Sequence, residues 1–376
     1  MAPPTDIVTT TEPGGPVPSL RVFTTSFARR SLADLVARHV VRLGGIAVIT
    51  SILAILVVIV GEVVPLFRPA AVHPIDAFAV RLDAPPLAVE VDEYVAVVAI
   101  LNESGFRFFS LDGVPLASPS ELPGLGAAKV TSVSQSGRRH VALGLSDGRV
   151  LPVEIRFQTS FDPSGRRVEA EARPLEPVSV GPEGQALGLV AHTATDTGAA
   201  IAAATGSKQI AIVRVSEESS LLGETSRKAE RSVLDLSTAG EISALAVDGR
   251  GDDLFVGTGA GEVLRIDLRT AEPRVSSPRS LAPSGTPITL LGFVLGDRTL
   301  VVGDAAGAVS SWQLLPGSDG ESELVKVHAF RRHPAGVSKF SPSRRHKGFW
   351  TGDAAGELRF HYATTGQTLL AFDAGE

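Results

Sequence analysis

The stretch "GDDLFVGTGAGEVLRIDL", Gly251 to Leu268, decides the fold. It places three glycines within five positions and then becomes apolar at alternate residues. Such a stretch is either a phosphate-cradling loop or a tight turn between two strands. A dinucleotide fingerprint needs its glycines to open a helix, whereas Leu264 and Ile266 follow here at the spacing of a strand. No G-x-x-x-x-G-K-[ST] motif occurs either. The stretch therefore predicts a turn.

The same turn recurs along the chain. Four segments align without gaps, each with two glycines four apart and with Val or Leu two residues after the second: Val141–Ile155, Phe255–Asp267, Val301–Gln313 and Trp350–Tyr362. Weaker copies lie at Val95–Gly113 and Ala199–Val215. A further strand and turn precede these units, so about four short strands fill each 40 to 50 residues, as in a β-propeller blade. Residues 72–376 would hold six or seven blades, and "TLLAFDA", Thr368 to Ala374, is expected to begin another, incomplete one.

The N-terminal residues predict a membrane anchor. Residues 1–26 are rich in Pro, Thr and Gly and predict a disordered leader. Residues 27–42 predict a basic juxtamembrane helix, with Ser31 and Asp34 as its N-terminal capping box. Residues 43–64 begin with nineteen uncharged residues, enough to span about 30 Å of hydrocarbon. A buried helix of a soluble protein and a signal peptide cleaved near Ala70-Ala71 remain alternatives.

Charge around this segment predicts the topology. Arg29, Arg30, Arg38 and Arg42 precede the apolar run, and arginine is sparse just after it. The positive-inside rule then places the N-terminus in the cytoplasm of a bacterial cell and the propeller in the periplasm.

Composition excludes several functions. A net charge of −6 argues against a nucleic-acid binder. The absence of cysteine removes disulfides, thiolate zinc sites and cysteine nucleophiles. No H-E-x-x-H or G-x-S-x-G motif is present, so we predict no enzyme activity, no catalytic or metal-ligating residues and no cofactor.

Two sets of polar residues are candidates for a site. The triplet Arg-Arg-His occurs at 138–140, 331–333 and 344–346, where guanidinium forks could bind phosphate. The first and third copies fall at the same inter-strand turn, which favours solvated turns instead. Asp252, Asp253, Asp304 and Asp353 fall at blade turns, where Asp is preferred for local hydrogen bonds.

The units resemble WD40 repeats. "VSKFSPSRRHKGFWTGDAAGELRFHY", Val337 to Tyr362, follows that family's order of strands and turns. The Trp-Asp pair is reduced to Trp312-Gln313, Phe360-His361 and Ile266-Asp267. The hydrogen-bonded network of His, Asp, Ser or Thr, and Trp in stricter members is therefore not implied.

The segment before the repeats resembles the first membrane helix of PstC-like phosphate ABC-transporter permeases. A basic lead, one helix and the exit "EVVPLFR", Glu62 to Arg68, precede a WD40-like insertion in a bacterial subgroup of that family. The resemblance covers roughly residues 27–376. The permease core and its ATPase-coupling loop are absent from this sequence, so a truncated or split permease is expected, and no transport residue carries over.

The fold expected is thus an all-β, WD40-like propeller of six or seven blades behind one transmembrane helix. The resemblance implies an interaction domain of a phosphate-type importer, with the membrane, a companion permease subunit, an ATPase subunit and a periplasmic solute-binding protein as partners. A free-standing scaffold for envelope assembly and a periplasmic propeller hydrolase are the alternatives. The hydrolase would need acidic and histidine side chains to converge at one mouth of the channel.

Overall fold

A computed structural model describes residues 25–67, 80–116, 122–136, 140–163, 165–219, 225–270, 272–283, 285–317 and 322–374. The chain divides into two units, Met1–Ala70 and Ala71–Glu376. The predicted disorder of the leader falls, apart from its last two residues, outside the described residues.

The described residues of the first unit form a single helical segment. Helix α1 runs from Thr25 to Val63 and continues as a 3-10 turn over Val64–Phe67. The helix has no break at the expected boundary between residues 42 and 43, and the capping role of Ser31 is wrong because Ser31 lies inside the helix. The residues just before Ser31 contain neither Pro nor Gly, so nothing stops the helix from beginning earlier. The part from Ser31 to Val63 is long and apolar enough to cross a membrane.

The second unit consists of six antiparallel sheets, numbered here as blades 1 to 6 in chain order. Blade 1 consists of β1 (Ala88–Val91), β2 (Val97–Asn102) and β3 (Gly105–Ser110). Blade 2 consists of β4 (Val130–Ser136), β5 (His140–Leu145), β6 (Arg149–Asp162), β7 (Gly165–Pro174) and β8 (Val178–Ser179). Blade 3 consists of β9 (Val190–Thr195), β10 (Gly198–Ala204), β11 (Gln209–Ser219) and β12 (Thr225–Asp235). Blade 4 consists of β13 (Ile242–Val247), β14 (Asp253–Thr258), β15 (Glu262–Asp267), β16 (Arg274–Val275) and β17 (Arg279–Ser280). Blade 5 consists of β18 (Ile288–Phe293), β19 (Thr299–Asp304), β20 (Val309–Pro316) and β21 (Ser322–Ala329). Blade 6 consists of β22 (Val337–Pro342), β23 (Gly348–Asp353), β24 (Glu357–Tyr362) and β25 (Gln367–Asp373).

These sheets form a six-bladed β-propeller, which confirms the predicted fold. Each of the six sequence copies is the hairpin between the second and third strands of one blade. The last predicted strand is assigned differently from expectation. Gln367–Asp373 does not begin another blade but pairs with β24 as the outer strand of blade 6, Leu358 lying opposite Phe372. Its backbone is thereby satisfied on the edge of an existing sheet.

The core lies between neighbouring blades. Five clusters of buried apolar side chains join consecutive blades. Each cluster has members from both blades, for example Phe108 and Leu143, Val150 and Ile201, Ile212 and Val256, Phe255 and Val302, and Val301 and Phe349.

The two glycines of each repeat have different physical roles. The second glycine takes a positive φ in the turn, for example 89° at Gly261 and 87° at Gly307, which L side chains rarely adopt. The first glycine lies in the second strand, where in blades 2, 4 and 5 the following blade approaches closely. A Cβ on Gly257 would lie 2.7 Å from Cγ2 of Ile288 in the next blade. The glycine cluster is therefore a turn between β14 and β15 and not a phosphate loop.

Candidate functional site

Two of the Arg-Arg-His triplets lie in loops between strands. Arg138 and Arg139 of the first copy are outside the described residues, and its His140 begins β5. The third copy lies between β22 and β23, the first and second strands of blade 6. The second copy lies between β21 and β22.

Three of the four described arginines of these triplets contact protein acceptors. Arg332 donates to the carbonyl of Ala306 at 2.7 Å. Arg344 pairs with Glu90, and Arg345 donates to the carbonyl of Glu93 at 2.8 Å. This geometry supports the interpretation as structural turns and gives the phosphate hypothesis no support.

A buried hydrogen-bond network in blade 6 is the strongest cluster of functional groups. It is anchored by His333, from the second triplet, and by His361 on β24. The hydroxyl of Thr351 lies 2.8 Å from His333 Nε2 and 2.8 Å from His361 Nε2. The other ring nitrogen of His361, Nδ1, lies 2.9 Å from Oγ1 of Thr368. Thr351 and His361 are fully buried, and His333 is 2% exposed.

The directions of these hydrogen bonds are fixed if both imidazole rings are neutral and the proton of His333 is on Nδ1, the nitrogen that faces Asp353. Thr351 has one proton, which it donates to His333 Nε2. It must then accept from His361 Nε2–H, so that His361 Nδ1 accepts from the hydroxyl of Thr368. His333 Nδ1 lies 3.6 Å from Oδ2 of Asp353, beyond hydrogen-bond length.

Burial keeps both imidazoles neutral. It lowers the pKa of His361 to about 3, with further contributions from His333 and Arg359. Burial, followed by the charge of Arg359, also lowers the pKa of His333. Burial opposes ionisation of Asp353, but turn N–H groups and His333 outweigh it and hold the pKa of that carboxyl below its usual value.

Asp353 and Glu357 fix the adjoining turn. Asp353 Oδ1 accepts from the N–H groups of Ala355 at 3.0 Å and Glu357 at 2.9 Å. Arg359 makes two hydrogen bonds to the Glu357 carboxylate, at 2.8 and 3.0 Å. It also donates to the carbonyls of Arg331 and Arg332 at 2.8 and 2.7 Å, which attaches the loop before β22 to this turn.

Potential metal ligands meet in this network. Atoms of His333, Asp353 and Glu357 lie within 4.8 Å of one another. Most of the ligand atoms are already hydrogen-bonded, however: Glu357 to the Arg359 guanidinium, Asp353 to turn N–H groups, and His333 Nε2 to Thr351, which leaves His333 Nδ1 without a hydrogen bond among the described residues. The nearby guanidinium also repels a cation. The arrangement therefore stabilises a loop and a turn rather than presenting an open coordination site.

The predicted turn aspartates behave as expected where their contacts are local. Asp304 in blade 5 accepts from the N–H groups of Ala306 and Ala308 at 2.9 and 2.8 Å. Asp253 instead pairs with Arg265 at 2.6 Å.

The alignment of blades 5 and 6 at their third strands corrects one expectation. Trp312 pairs with Leu300, and at the corresponding register His361 pairs with Phe349. His361, not Phe360, is therefore the counterpart of Trp312. The network that the sequence resemblance did not imply is present in blade 6, with an imidazole in place of the indole. The sequence alone could show that His361 corresponds to Trp312. Trp312 lies five residues after Gly307, and His361 lies five residues after Gly356, the second glycines of their repeats.

Comparison with known proteins supports the fold. No protein-family model matches the sequence, and no curated protein matches it. The β-propeller domain of Cps50 (Swd1) from Myceliophteria thermophila is similar in structure, with a TM-score of 0.50 and 17% identity over 79% of this chain and 89% of that one. A chain of the mitotic checkpoint complex is similar more loosely, with a TM-score of 0.44 and 15% identity over 81% of this chain and 89% of that one. The second unit has a WD40-like propeller fold.

Proposed function

We propose that this protein is a membrane-anchored interaction scaffold, the N-terminal portion of a phosphate-type ABC importer permease. Helix α1 would hold the chain in the bacterial inner membrane with its N-terminus in the cytoplasm. The propeller would then contact the companion permease subunit or the solute-binding protein in the periplasm. The single observation that carries the proposal is the combination of an exposed apolar helix with a WD40-like propeller in one chain.

One part of the propeller suits protein contact. The hairpin of β6 and β7 in blade 2 is built from strands of 14 and 10 residues and, with the hairpin of β11 and β12, is longer than the other hairpins of the propeller, where six residues is the commonest strand length. Phe161, at the end of this hairpin, is 79% exposed. Exposed aromatic side chains of this kind supply much of the binding energy at protein interfaces.

The partner prediction is tested by capture from bacterial membranes. The full chain carrying an affinity tag is expressed with the importer subunits and the solute-binding protein, solubilised and captured. Recovery of the companion permease or the binding protein is expected, and it should fall in Phe161→Ser. Leu315→Ser is the matched control, because Leu315 is also exposed, at 44%, but lies in blade 5. Recovery of neither protein would contradict the proposal.

The orientation of the chain in the membrane is tested separately with single cysteines. Each introduced cysteine provides the only thiol, because the chain has no cysteine of its own. Thr365→Cys in the propeller should react with a membrane-impermeant maleimide on intact spheroplasts, and Ser31→Cys should react only after lysis. The reverse pattern would refute the periplasmic location.

A further inference from the structure

The junction between blade 6 and blade 1 differs from the other five. Among the described residues, no cluster of buried apolar side chains joins these two blades. The apolar residues of the facing sheets remain partly exposed instead. On blade 1, Val89 is 48% exposed and lies opposite Ile100. On blade 6, the Trp350 ring packs 4.9 Å from Phe360, and Phe372 beside it is 38% exposed.

The register shows that these residues occupy the sheet faces between blades 6 and 1. Phe349 belongs to the cluster shared with blade 5, so its neighbour Trp350 lies on the opposite face of β23. Ala88 and Leu101 belong to the cluster shared with blade 2, so Val89 and Ile100 lie on the other face of blade 1.

The first glycine of the repeat gives independent evidence. A Cβ on Gly257 would meet Ile288 of the next blade at 2.7 Å, and one on Gly303 would meet Val337 at 3.1 Å. At Gly352 of blade 6 the atoms within reach belong to the same blade, with Leu358 Cδ2 at 3.0 Å. Blade 1 does not approach this glycine as the other blades approach theirs.

A hydroxyl in the inner strand gives a third line of evidence. Four inner strands have a bulge at a Ser or Thr that follows Val or Ile: Thr131, Ser243, Thr289 and Ser338. The first three each donate to a carbonyl of the next blade or of the loop leading into it: Leu187 at 2.8 Å, Ile288 at 2.6 Å and Val337 at 2.5 Å. Ser338, at the junction with blade 1, is exposed and makes no such bond among the described residues.

Ion pairs bridge this junction at one end. Arg344 pairs with Glu90, whose side chain is 11% exposed, and Arg345 lies 3.6 Å from the carboxylate of Glu93 and donates to its carbonyl at 2.8 Å. Both arginines lie in the turn between β22 and β23, and Glu93 lies in the turn between β1 and β2. We call these two pairs the clasp.

We propose that the blade 6–blade 1 junction is a joint at which the ring opens, held shut by the clasp. Because the described residues share no core at this junction, they give it little hydrophobic stabilisation, and its closure would depend on charge attraction. Screening weakens that attraction, because the Debye length falls from about 10 Å at 0.1 M salt to about 3 Å at 1 M. Opening would uncover the Trp350 face of blade 6 and the Val89 face of blade 1. This proposal concerns the propeller alone and does not depend on the transporter assignment.

The experiment measures distances between spin labels in the full chain in detergent micelles. Cysteines replace Asp112 and Thr365, which are exposed, lie in the turns after the third strands of blades 1 and 6, and are at the same end as the clasp. The control labels, at Thr270 and Leu315, report on blades 4 and 5, which share a core and are also bridged by Arg279 and Glu323 at 2.5 Å.

The expected result is a shift of the Asp112–Thr365 distance to longer values on raising salt from about 0.1 M to about 1 M. The Arg344→Gln, Arg345→Gln variant should show the longer distance already at low salt. The exchanged pair Glu93→Arg, Arg345→Glu should retain the short distance. The Thr270–Leu315 distance should not respond to salt or to Arg279→Gln.

The proposal would be overturned if high salt and the double glutamine substitution both leave the Asp112–Thr365 distance as it is in the unaltered chain at low salt. A shift of both label pairs would also overturn it, because the effect would then be general loosening of the propeller. The control distance shows in each variant that the remaining blades are folded.

Discussion

Replacement of Thr351 by valine tests whether the buried network of blade 6 stabilises the propeller. The change keeps the shape of the side chain and removes only the hydroxyl. His333 Nε2 then loses its donor and His361 Nε2 loses its acceptor, in a region where both residues are almost completely buried. An unsatisfied buried polar group costs about 1 to 3 kcal/mol, so two such groups should lower the free energy of unfolding by about 2 to 6 kcal/mol.

The assay is urea unfolding of the full chain in micelles, followed by tryptophan fluorescence. Trp350 adjoins the substituted residue and reports on blade 6, whereas Trp312 reports on blade 5. Thr258→Val is the matched control. Thr258 is also fully buried, but its hydroxyl contacts only the backbone of Glu262, at 3.2 and 3.3 Å, so a loss of about 1 kcal/mol is expected. If Thr351→Val is no more destabilising than Thr258→Val, the network does not hold the loop and turn together.

Two further predictions concern the stability of the propeller at acidic pH and the effect of replacing glycine by alanine. Burial, which is the main cause, lowers the pKa of His192 and of His361 to about 3, against 6.5 for a free imidazole. The unfolded chain therefore binds more protons between these values, and each group should lower the free energy of unfolding by about 1.4 kcal/mol per pH unit as the pH falls through that window. Urea midpoints at pH 7 and 5 measure this slope, and an unchanged slope in His361→Gln would contradict the assignment. Gly257→Ala forces a methyl group against Ile288 of the next blade, at 2.7 Å, and should cost about 1 to 3 kcal/mol. Gly352→Ala meets the flexible end of Leu358 at 3.0 Å and Cβ of Lys339 at 3.3 Å, both in its own blade, and should cost less. Equal losses in thermal unfolding would show that blade 6 is packed like the others.

The sequence predicts well what is encoded within one blade. The glycine turns and the alternation after them depend on residues close in the chain, so six hairpins and their strand order can be recognised from the residues alone. The role of Gly257 as a point of close approach cannot, because Ile288 reaches it from the next blade. The same limit explains the outer strand of blade 6, since an apolar run such as Gln367–Asp373 looks alike whether it begins a sheet or completes one. The continuous helix from Thr25 escapes prediction for a different reason: Ser31 has the residue type of a cap, but nothing before it ends the helix.

The candidate site shows how a repeat can be preserved while its chemistry changes. Blade 5 has Trp312 where blade 6 has His361, and Val302 where blade 6 has Thr351. The indole of Trp312 has a single N–H, which donates to Oγ of Ser310 at 2.8 Å. It therefore needs no hydroxyl at the position of Val302. An imidazole at the same place would leave two buried polar nitrogens, so Thr351, His333 and Thr368 are required together.

The ring joint follows from the same distinction between local and distant contacts. Blade 6 retains the features that bind a following blade elsewhere, namely Gly352 in the second strand and Ser338 after Val337. Its neighbour, however, is the first blade of the unit and not the next segment of chain. The other five junctions join sheets that are consecutive in sequence, so their closure requires only a short connection. This junction must hold segments 254 residues apart, as in the contact of Arg344 with Glu90. Charge attraction acts over a longer range than packing but is weakened by salt, so the proposal predicts that high salt loosens this junction before the other five.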